Sequence, residues 1–239
     1  MITAICRGGI FVIHGIDISS YQPNVDFIKV KESGTDFVII RAGFGTTKDN
    51  MFENHYRNAK AVGLNAGAYI YSYARNKTQA IEEAKAFLSW LSGKQFEYPV
   101  YIDVEDSSLR SLSREELTEN VITFCDTVQS SGYYVGIYSN LNWFENRLIL
   151  SEINRFDKWL ADWAERPALD NSFGGLWQYG LTTVSGIQYQ VDGDISYRDY
   201  PDTIKKAKLN GFDREVPGAV PITIDLDGKT YSGTVKEIT

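Results

Sequence analysis

Apolar positions along the chain follow two different periods, one typical of strands and one typical of helices. Short β-branched and aromatic runs predict eight strands, at residues 10–19, 37–43, 65–74, 99–105, 134–140, 158–163, 174–179 and 188–195. Between the first five, apolar residues recur at steps of three and four residues, which predicts amphipathic helices. The clearest helix is predicted from Ser113, which forms a capping box with Glu116, to a stop at Gly132. Strands that alternate with helices predict a parallel sheet covered on both faces.

The spacing of the strands predicts how the sheet closes. The centres of the first five strands lie about 25 to 35 residues apart, which leaves room for a crossover helix each time. The last three gaps shrink to about 24, 17 and 13 residues, and the final two are too short for such a helix. We therefore predict an α/β fold, an irregular TIM-like barrel with five β/α units followed by three strands that lack full crossover helices. A doubly wound open sheet is the alternative.

A proline- and glycine-rich segment predicts a division near the carboxyl end of the chain. We expect a barrel over residues 1–212, a linker over 213–221 and a β-hairpin tail over 222–239, in which Asp227 and Gly228 form the turn. An isolated hairpin is only marginally stable in water. The tail is therefore expected to dock on the barrel, on a missing module or on a second copy, which would make it a site of self-association.

Composition and charge exclude several classes of function. The 239 residues include 24 basic and 31 acidic ones, a formal charge of −7, which argues against a nucleic-acid partner. No apolar run approaches the roughly 18 residues of a spanning helix, so no membrane insertion is expected. Residues 1–9 lack a signal-peptide cleavage pattern, so we expect no signal peptide. The two cysteines, Cys6 and Cys125, are predicted to be free thiols.

Polar side chains gather where the predicted strands end, which is where barrel enzymes carry their working residues. In chain order these residues are Asp17, Arg41, Asp103, Glu105, Tyr138, Trp163, Gln178 and Asp192. Four carboxylates on one rim disfavour the ionisation of at least one of them. Folding alone gains nothing from that arrangement, so the rim is the predicted functional site.

The fourth strand carries the sharpest chemical signal. Side chains alternate along a strand, so Asp103 and Glu105 share the face that leads to the barrel mouth. Two neighbouring carboxyl groups in a partly buried place raise the pKa of one of them, which can then act as a general acid. Glycoside cleavage needs such a proton donor and a second carboxylate. The alternatives are a solvated strand end with Asp106 as a helix cap, and a metal site that uses Asp17.

Other residues leave more than one interpretation open. Asp17 is also placed to cap a turn, and alternation does not choose between Asp192 and Asp194. Tyr71, with its neighbours on one face of the third strand, is placed either to stack on a sugar ring or to fill the core. Residues 43–48 are rich in glycine but lack the spacing of a phosphate-binding loop, so we interpret them as a strand-to-helix loop.

Six motifs in their order along the chain resemble glycoside hydrolase family 25, the Chalaropsis-type lysozymes of phage endolysins and bacterial autolysins. They are G-I-D-I-S-S-Y-Q at residues 15–22, Y-I-D-V-E at 101–105, G-I-Y-S-N at 136–140, W-L-A-D-W at 159–163, L-W-Q-Y at 176–179 and V-D-G-D at 191–194. The likeness covers about residues 14–210. It implies an N-acetylmuramidase that cuts the β-1,4 bond between N-acetylmuramic acid and N-acetylglucosamine in peptidoglycan glycan strands, on an irregular barrel of five β/α units and three further strands.

The resemblance also implies roles for the rim residues. Glu105 is the expected general acid, and Asp103 assists the attack, either as a base or by orienting the substrate's N-acetyl group. Asp17 and Asp192 complete the catalytic set. The residues expected to bind substrate are Tyr71, Tyr138, Trp163, Gln178 and Asp194. Many relatives carry asparagine at the last of these positions, so Asp194 departs from the pattern.

Further expectations concern cofactors, location and rival functions. No cofactor is expected, because the reaction needs only water and positioned acids. Without a signal peptide, a phage lysin that stays in the host cytoplasm until lysis and then reaches the cell wall fits best. The rival functions are a chitinase-like glycosidase on a similar barrel and a non-catalytic cell-wall carbohydrate-binding protein.

Overall fold

The computed structural model describes residues 13–165, 167, 172–212, 220–226 and 229–235. The strands in this part of the chain are β1 (Ile13–Ile18), β2 (Phe37–Phe44), β3 (Thr47–Lys48), β4 (Asn65–Tyr71), β5 (Val100–Asp103), β6 (Val135–Asn140), β7 (Asp157–Ala161), β8 (Leu176–Thr182), β9 (Val191–Ser196), β10 (Val220–Leu226) and β11 (Lys229–Val235). The α-helices are α1 (Phe27–Glu32), α2 (Phe52–Ala61), α3 (Lys77–Leu91), α4 (Arg114–Ser130), α5 (Leu141–Asn146), α6 (Leu150–Ile153) and α7 (Tyr200–Lys206), with a 3₁₀ helix at Ser107–Ser111.

Eight strands close into a barrel in the order β1, β2, β4, β5, β6, β7, β8, β9. The strands β1 to β8 in this ring run parallel, and β9 closes it by pairing antiparallel with both β8 and β1. Direct pairing of β1 with β2 shows that the sheet has no free edge between them. The predicted irregular barrel is therefore confirmed, and the open sheet is excluded.

The connections explain why the barrel is irregular. Five strands are followed by helices before the next strand of the ring: α1, α2, α3, α4 and the short pair α5 and α6. The described residues between β7 and β8 contain no helix. The connection from β8 to β9 is short and joins antiparallel neighbours, which need no crossover. This is the division into five β/α units and three further strands that the family resemblance implies, and it agrees with the spacing of the strands.

Alternation along the strands sends side chains into two separate apolar clusters. Residues that face the helices form an outer cluster, which includes Ile102 and Val104 of the β5 region. Residues that face inward form an aromatic cluster in which Trp159 contacts the rings of Tyr69, Tyr101 and Tyr138. The inner cluster fills the barrel, so the side chains at the strand ends lie above a packed core and not above an open pore.

The helix α7 closes the barrel at the amino ends of the strands. Tyr200 and Ile204 of α7 are fully buried in the inner cluster, where Tyr200 packs against Tyr98. The hydroxyl group of Tyr200 donates to the buried carboxylate of Asp157 at the start of β7. The opposite, carboxyl end of the barrel therefore is the end left open for a ligand.

Several local predictions can be compared with the structure. The capping box of Ser113 and Glu116 is present, and Cys125 is a buried free thiol on α4, as predicted. Residues 43–48 differ from the predicted loop, because β2 continues to Phe44 and turns back through Gly45, at φ 53°, into β3. Glycine at that position allows the left-handed turn that the hairpin needs.

The predicted tail forms a hairpin of β10 paired antiparallel with β11. The turn residues Asp227 and Gly228, most of the predicted linker, Cys6 and the predictions for residues 1–9 lie outside the described residues. The division of the chain into barrel, linker and tail stays a prediction.

Candidate active site

A groove lies at the carboxyl end of the barrel, above the inner aromatic cluster. We call its middle the central groove; its lining residues include Asp17, Tyr21, Arg41, Tyr69, Tyr71, Asp103, Glu105, Tyr138, Trp159, Gln178 and Asp192. A second depression, the side groove, is lined by Glu105, Tyr138, Asn140, Leu141, Asn142, Ala161, Asp162, Trp163 and Gln178. The two share Glu105, Tyr138 and Gln178, so they meet at the carboxyl group of Glu105.

The carboxyl groups of Asp103 and Glu105 lie where β5 ends. Asp103 is 5% exposed, and its Oδ1 has no hydrogen-bond partner among the described residues. Burial raises the pKa of Asp103 well above its usual range, and the charges of Glu105 and Asp17 raise it further. An unpaired oxygen on a buried carboxyl group costs folding free energy unless a ligand uses it.

Glu105 is half-buried at the junction of the two grooves. Burial raises the pKa of its carboxyl group; a hydrogen bond to the side chain of Asn140 opposes the rise, and the charge of Asp192 adds to it. A carboxyl group with a raised pKa keeps its proton nearer to neutral pH, as a general acid requires.

Gln178 connects both sides of the site through a fixed side-chain amide. Its Oε1 accepts hydrogen bonds from the hydroxyl group of Tyr138 at 3.0 Å and from Nε1 of Trp163 at 3.2 Å. Its Nε2 donates to Oδ2 of Asp17 at 2.9 Å. Because both donors point at the same oxygen, the amide has one favourable orientation, and that orientation presents an N–H to Asp17.

The two aspartates of β9 lie at different depths. Asp192 pairs in register with Asp17 and lines the central groove, where burial raises the pKa of its carboxyl group. Asp194 pairs with Gly15, two residues farther into the barrel, and is 0% exposed. Its Oδ1 accepts a hydrogen bond from Nε1 of Trp159 at 2.8 Å. The structure thus brings Asp192 to the groove and places Asp194 beneath it.

Tyr71 and Trp163 contribute aromatic surface on different sides. Tyr71 lines the central groove and donates a hydrogen bond from its hydroxyl group to Oδ2 of Asp106 at 3.1 Å. Asp106 also caps the 3₁₀ helix, so the helix-cap interpretation of that residue is correct. Trp163 is 61% exposed beside the side groove. Eight of the nine predicted site residues therefore line the two grooves, and Asp194 alone does not.

Arg41 and Asn140 belong to the site but had no role assigned from the sequence. Arg41 donates from Nε to Asp49 at 2.8 Å and from Nη2 to Ser20 at 2.9 Å, and its guanidinium group lies 5.0 Å from the ring centre of Tyr21. Asn140 ends β6 and bonds Glu105. The available signal was position: Asn140 ends β6, and Arg41 lies in the last half of β2.

Acid–base chemistry is what this arrangement of carboxyl groups supports. Within the described residues, no group of three or more His, Cys, Asp or Glu side chains has an arrangement that would hold a metal ion. No helix in that part of the chain is long and apolar enough to cross a lipid bilayer. A half-buried proton donor beside a buried second carboxyl group is the pair that glycoside cleavage uses.

Comparison with known proteins places the chain in a family. Residues 16–187 match the model of the family described as glycosyl hydrolases family 25. The chain belongs to glycosyl hydrolase family 25. This confirms the resemblance drawn from the six motifs, and it places the chain among the glycoside hydrolases.

Several relatives in family 25 have names that describe their activity. The chain is 34% identical over 182 residues to an autolytic lysozyme of Clostridium acetobutylicum, a match that covers 75% of this chain and 54% of that protein. It is 30% identical over 196 residues to an N,O-diacetylmuramidase of Arthroderma benhamiae, covering 76% of this chain and 80% of the relative.

A solved structure of the family confirms the fold. The modular autolysin LytC of Streptococcus pneumoniae, in complex with a synthetic peptidoglycan ligand, superposes with a TM-score of 0.72 at 25% identity. The match covers 79% of this chain and 47% of the autolysin. The chain thus spans about half the length of this autolysin and of the Clostridium lysozyme.

Proposed function

We propose that this chain is a peptidoglycan hydrolase, an N-acetylmuramidase that cleaves the β-1,4 bond between N-acetylmuramic acid and N-acetylglucosamine in bacterial cell walls. The observation that carries the proposal is the pair Asp103 and Glu105, two carboxyl groups with raised pKa values at the meeting point of two grooves. Membership of family 25 and relatives named lysozyme and N,O-diacetylmuramidase support the choice of bond.

Glu105 is the proposed general acid. It is the acidic residue common to both grooves, so a glycan that lies across them brings a glycosidic oxygen near its carboxyl group. The raised pKa of Glu105 keeps a proton available for the leaving oxygen. Asn140 bonds the same carboxyl group and holds it in place while the proton moves.

Asp103 is the proposed partner in the attack. Its Oδ1 has no hydrogen-bond partner in the described part of the protein, although the side chain is buried in the wall of the central groove. A substrate N–H or a water molecule would satisfy that oxygen. Asp103 thereby orients the substrate's N-acetyl group or the attacking water, and its negative charge stabilises the positive charge that develops on the sugar ring.

The remaining site residues bind the glycan or contribute negative charge to the site. Trp163 beside the side groove and Tyr21, which is 79% exposed beside the central groove, offer flat surfaces to sugar rings on the two sides of Glu105. Tyr71, Tyr138 and Gln178 present polar groups between them. The negative charge of Asp192 opposes ionisation of Glu105, and the charge of Glu105 in turn raises the pKa of Asp17.

The test is to identify the sugar that carries each new reducing end. Purified peptidoglycan is digested with catalytic amounts of the protein, the products are reduced with borohydride, and the reduced sugar is identified by mass spectrometry. We expect reduced N-acetylmuramic acid. Reduced N-acetylglucosamine would overturn the assignment of the bond, and no released sugar would overturn the hydrolase and favour a binding protein. The Glu105→Gln variant, purified in the same way, controls for contaminating hydrolases.

A further inference from the structure

Asp194 is a fully buried carboxyl group with an unusual set of partners. Its Oδ1 accepts the N–H of Trp159, and its Oδ2 has no hydrogen-bond donor among the described residues. The carboxyl group of Asp17 lies within hydrogen-bonding contact of Asp194. Two carboxylate oxygens repel each other at such a distance, and only a proton between them turns the contact into a hydrogen bond.

In the described part of the chain, the charges that act on the carboxyl group of Asp194 include no cation. The titratable groups that face it are Asp17 on β1 and Asp192 on β9 itself, and both are acidic. Gln178 on the paired strand β8 and Trp159 on β7, which donates to Asp194, do not titrate. A second negative charge in this place would be buried and opposed by the first, which makes the doubly ionised pair unfavourable.

The hydrogen bonds indicate which oxygen of the pair carries the proton. Asp17 is buried too, and burial raises the pKa of its carboxyl group, but it accepts an N–H from Gln178 at its Oδ2, which stabilises its ionised form. Asp194 is sealed from solvent, and its Oδ1 accepts as a carbonyl oxygen does. This leaves Oδ2 of Asp194 free to be a hydroxyl group that donates to Asp17.

We propose that Asp194 is a positioning residue that stays protonated in the working enzyme and donates a hydrogen bond to an ionised Asp17, so that the pair carries a single negative charge. Asp17 then accepts two hydrogen bonds. One comes from Asp194, which Trp159 holds in place, and the other comes from Gln178, which Tyr138 and Trp163 hold in place. Asp194 acts only through Asp17 and touches no substrate. Its role in turnover rests on the proposed function; its protonation does not.

The first test is spectroscopic and independent of activity. The infrared spectra of the wild type and Asp194→Asn are compared near neutral pH in the carbonyl region of protonated carboxylic acids. We expect the wild type to show one more protonated carboxyl group than Asp194→Asn. The absence of that difference, with both proteins folded, would overturn the proposal and leave the muramidase assignment untouched.

The second test uses the pH dependence of turnover, since a merely structural residue would not move it. Asparagine replaces the donor at Asp194 without changing the charge, so the alkaline limb of the Asp194→Asn profile should coincide with that of the wild type. Asp17→Asn, the matched control, removes the single charge. The charges of Asp17 and Glu105 repel each other, so removing one of them should move the alkaline limb down by roughly 0.5 to 1 pH unit. A downward shift in Asp194→Asn as large as that in Asp17→Asn would contradict the proposal.

A third readout guards against variants that fold poorly. Folding raises the pKa of a buried acid such as Asp194 above its value in the unfolded chain, which is near 4. Above that pH the unfolded chain ionises more readily than the folded protein, so the folded protein loses stability as the pH rises. The melting temperature of Asp194→Asn relative to the wild type should therefore increase between about pH 4 and neutrality. A constant or falling difference would mean that Asp194 ionises in the folded protein, and would refute the proposal even without peptidoglycan.

Discussion

The two ends of the barrel treat buried carboxyl groups in opposite ways. At the amino end, Asp157 accepts hydrogen bonds from Arg198 at 3.1 Å, from the hydroxyl group of Tyr200 and from the backbone N–H groups of Lys158 and Gly175. At the carboxyl end, Asp103 has an oxygen without a partner among the described residues. Both carboxylate oxygens of Asp157 thus accept hydrogen bonds, whereas Oδ1 of Asp103 remains available to accept one from a ligand.

The difference separates a structural site from a functional one. A buried charge with four donors stabilises the fold, because its loss leaves those donors unpaired. A buried carboxyl group without a full set of donors costs folding free energy. Such a group is useful when a bound ligand supplies the missing hydrogen-bond donor. Both carboxyl groups are buried, but Asp157 has four donors, one of them the cation Arg198, whereas Asp103 keeps an oxygen without a donor among the described residues. Variants at each end should therefore fail in different assays.

The largest effect is expected from Glu105→Gln. Loss of the general acid should lower turnover of peptidoglycan at least about a hundredfold while the melting temperature changes little, because general acid catalysis contributes about 10² to 10⁴. Release of reducing sugars from purified walls measures the effect. The matched control is Glu145→Gln, an exposed residue outside both grooves. A Glu105→Gln variant of wild-type activity would refute the assignment.

The next effect is on stability, at the amino end. Asp157→Ala should lower the free energy of unfolding by about 3 kcal/mol, because it leaves a cation and several buried donors without an acceptor. Urea unfolding measures the change. Asp202→Ala on α7 removes an exposed ion pair with Lys206 and serves as the control; it should change the free energy of unfolding little, because solvent screens the pair. Equal losses in the two variants would mean that the Asp157 network does not stabilise the closed end.

A smaller effect is expected from Trp163. Its exposed ring should contribute about 1 kcal/mol to glycan binding, so Trp163→Ala should raise KM about fivefold with little change in stability. Trp163→Phe is the matched control, since it keeps an aromatic surface and loses the N–H that Gln178 accepts. If Trp163→Phe is as impaired as Trp163→Ala, the hydrogen bond to Gln178 matters more than the ring.

Much of the fold could be predicted because it depends on spacing. The gap lengths determine which strands can be joined by helices, and strand alternation brings Asp103 and Glu105 to one face. The β2–β3 hairpin was missed because its two-residue strand is too short to show a period. The placement of the acidic rim followed from the rule that strand ends of a barrel meet at one mouth.

The roles of Asp194 and Asn140 could not be predicted, because they depend on register and depth. Alternation puts Asp192 and Asp194 on the same face but does not say where β9 starts relative to β1. The observed pairing of Asp192 with Asp17 places Asp194 one step deeper, about 6 to 7 Å along the strand, where solvent does not reach. The bond from Asn140 to Glu105 joins two strands, and no local pattern encodes it.

The carboxyl end of the barrel gives up stability for function, and the variant Asp103→Asn tests this trade-off. Burial and neighbouring charge raise the pKa of Asp103 above its value in the unfolded chain, which is near 4. The wild type therefore loses stability as the pH rises above that value. The measurement is the free energy of unfolding of Asp103→Asn and the wild type between about pH 4 and 7, with wall turnover assayed on the same preparations. We predict that the variant loses turnover about a hundredfold and gains stability relative to the wild type as the pH rises. A variant that is less stable than the wild type across that range would show that the carboxyl group of Asp103 does not destabilise the fold.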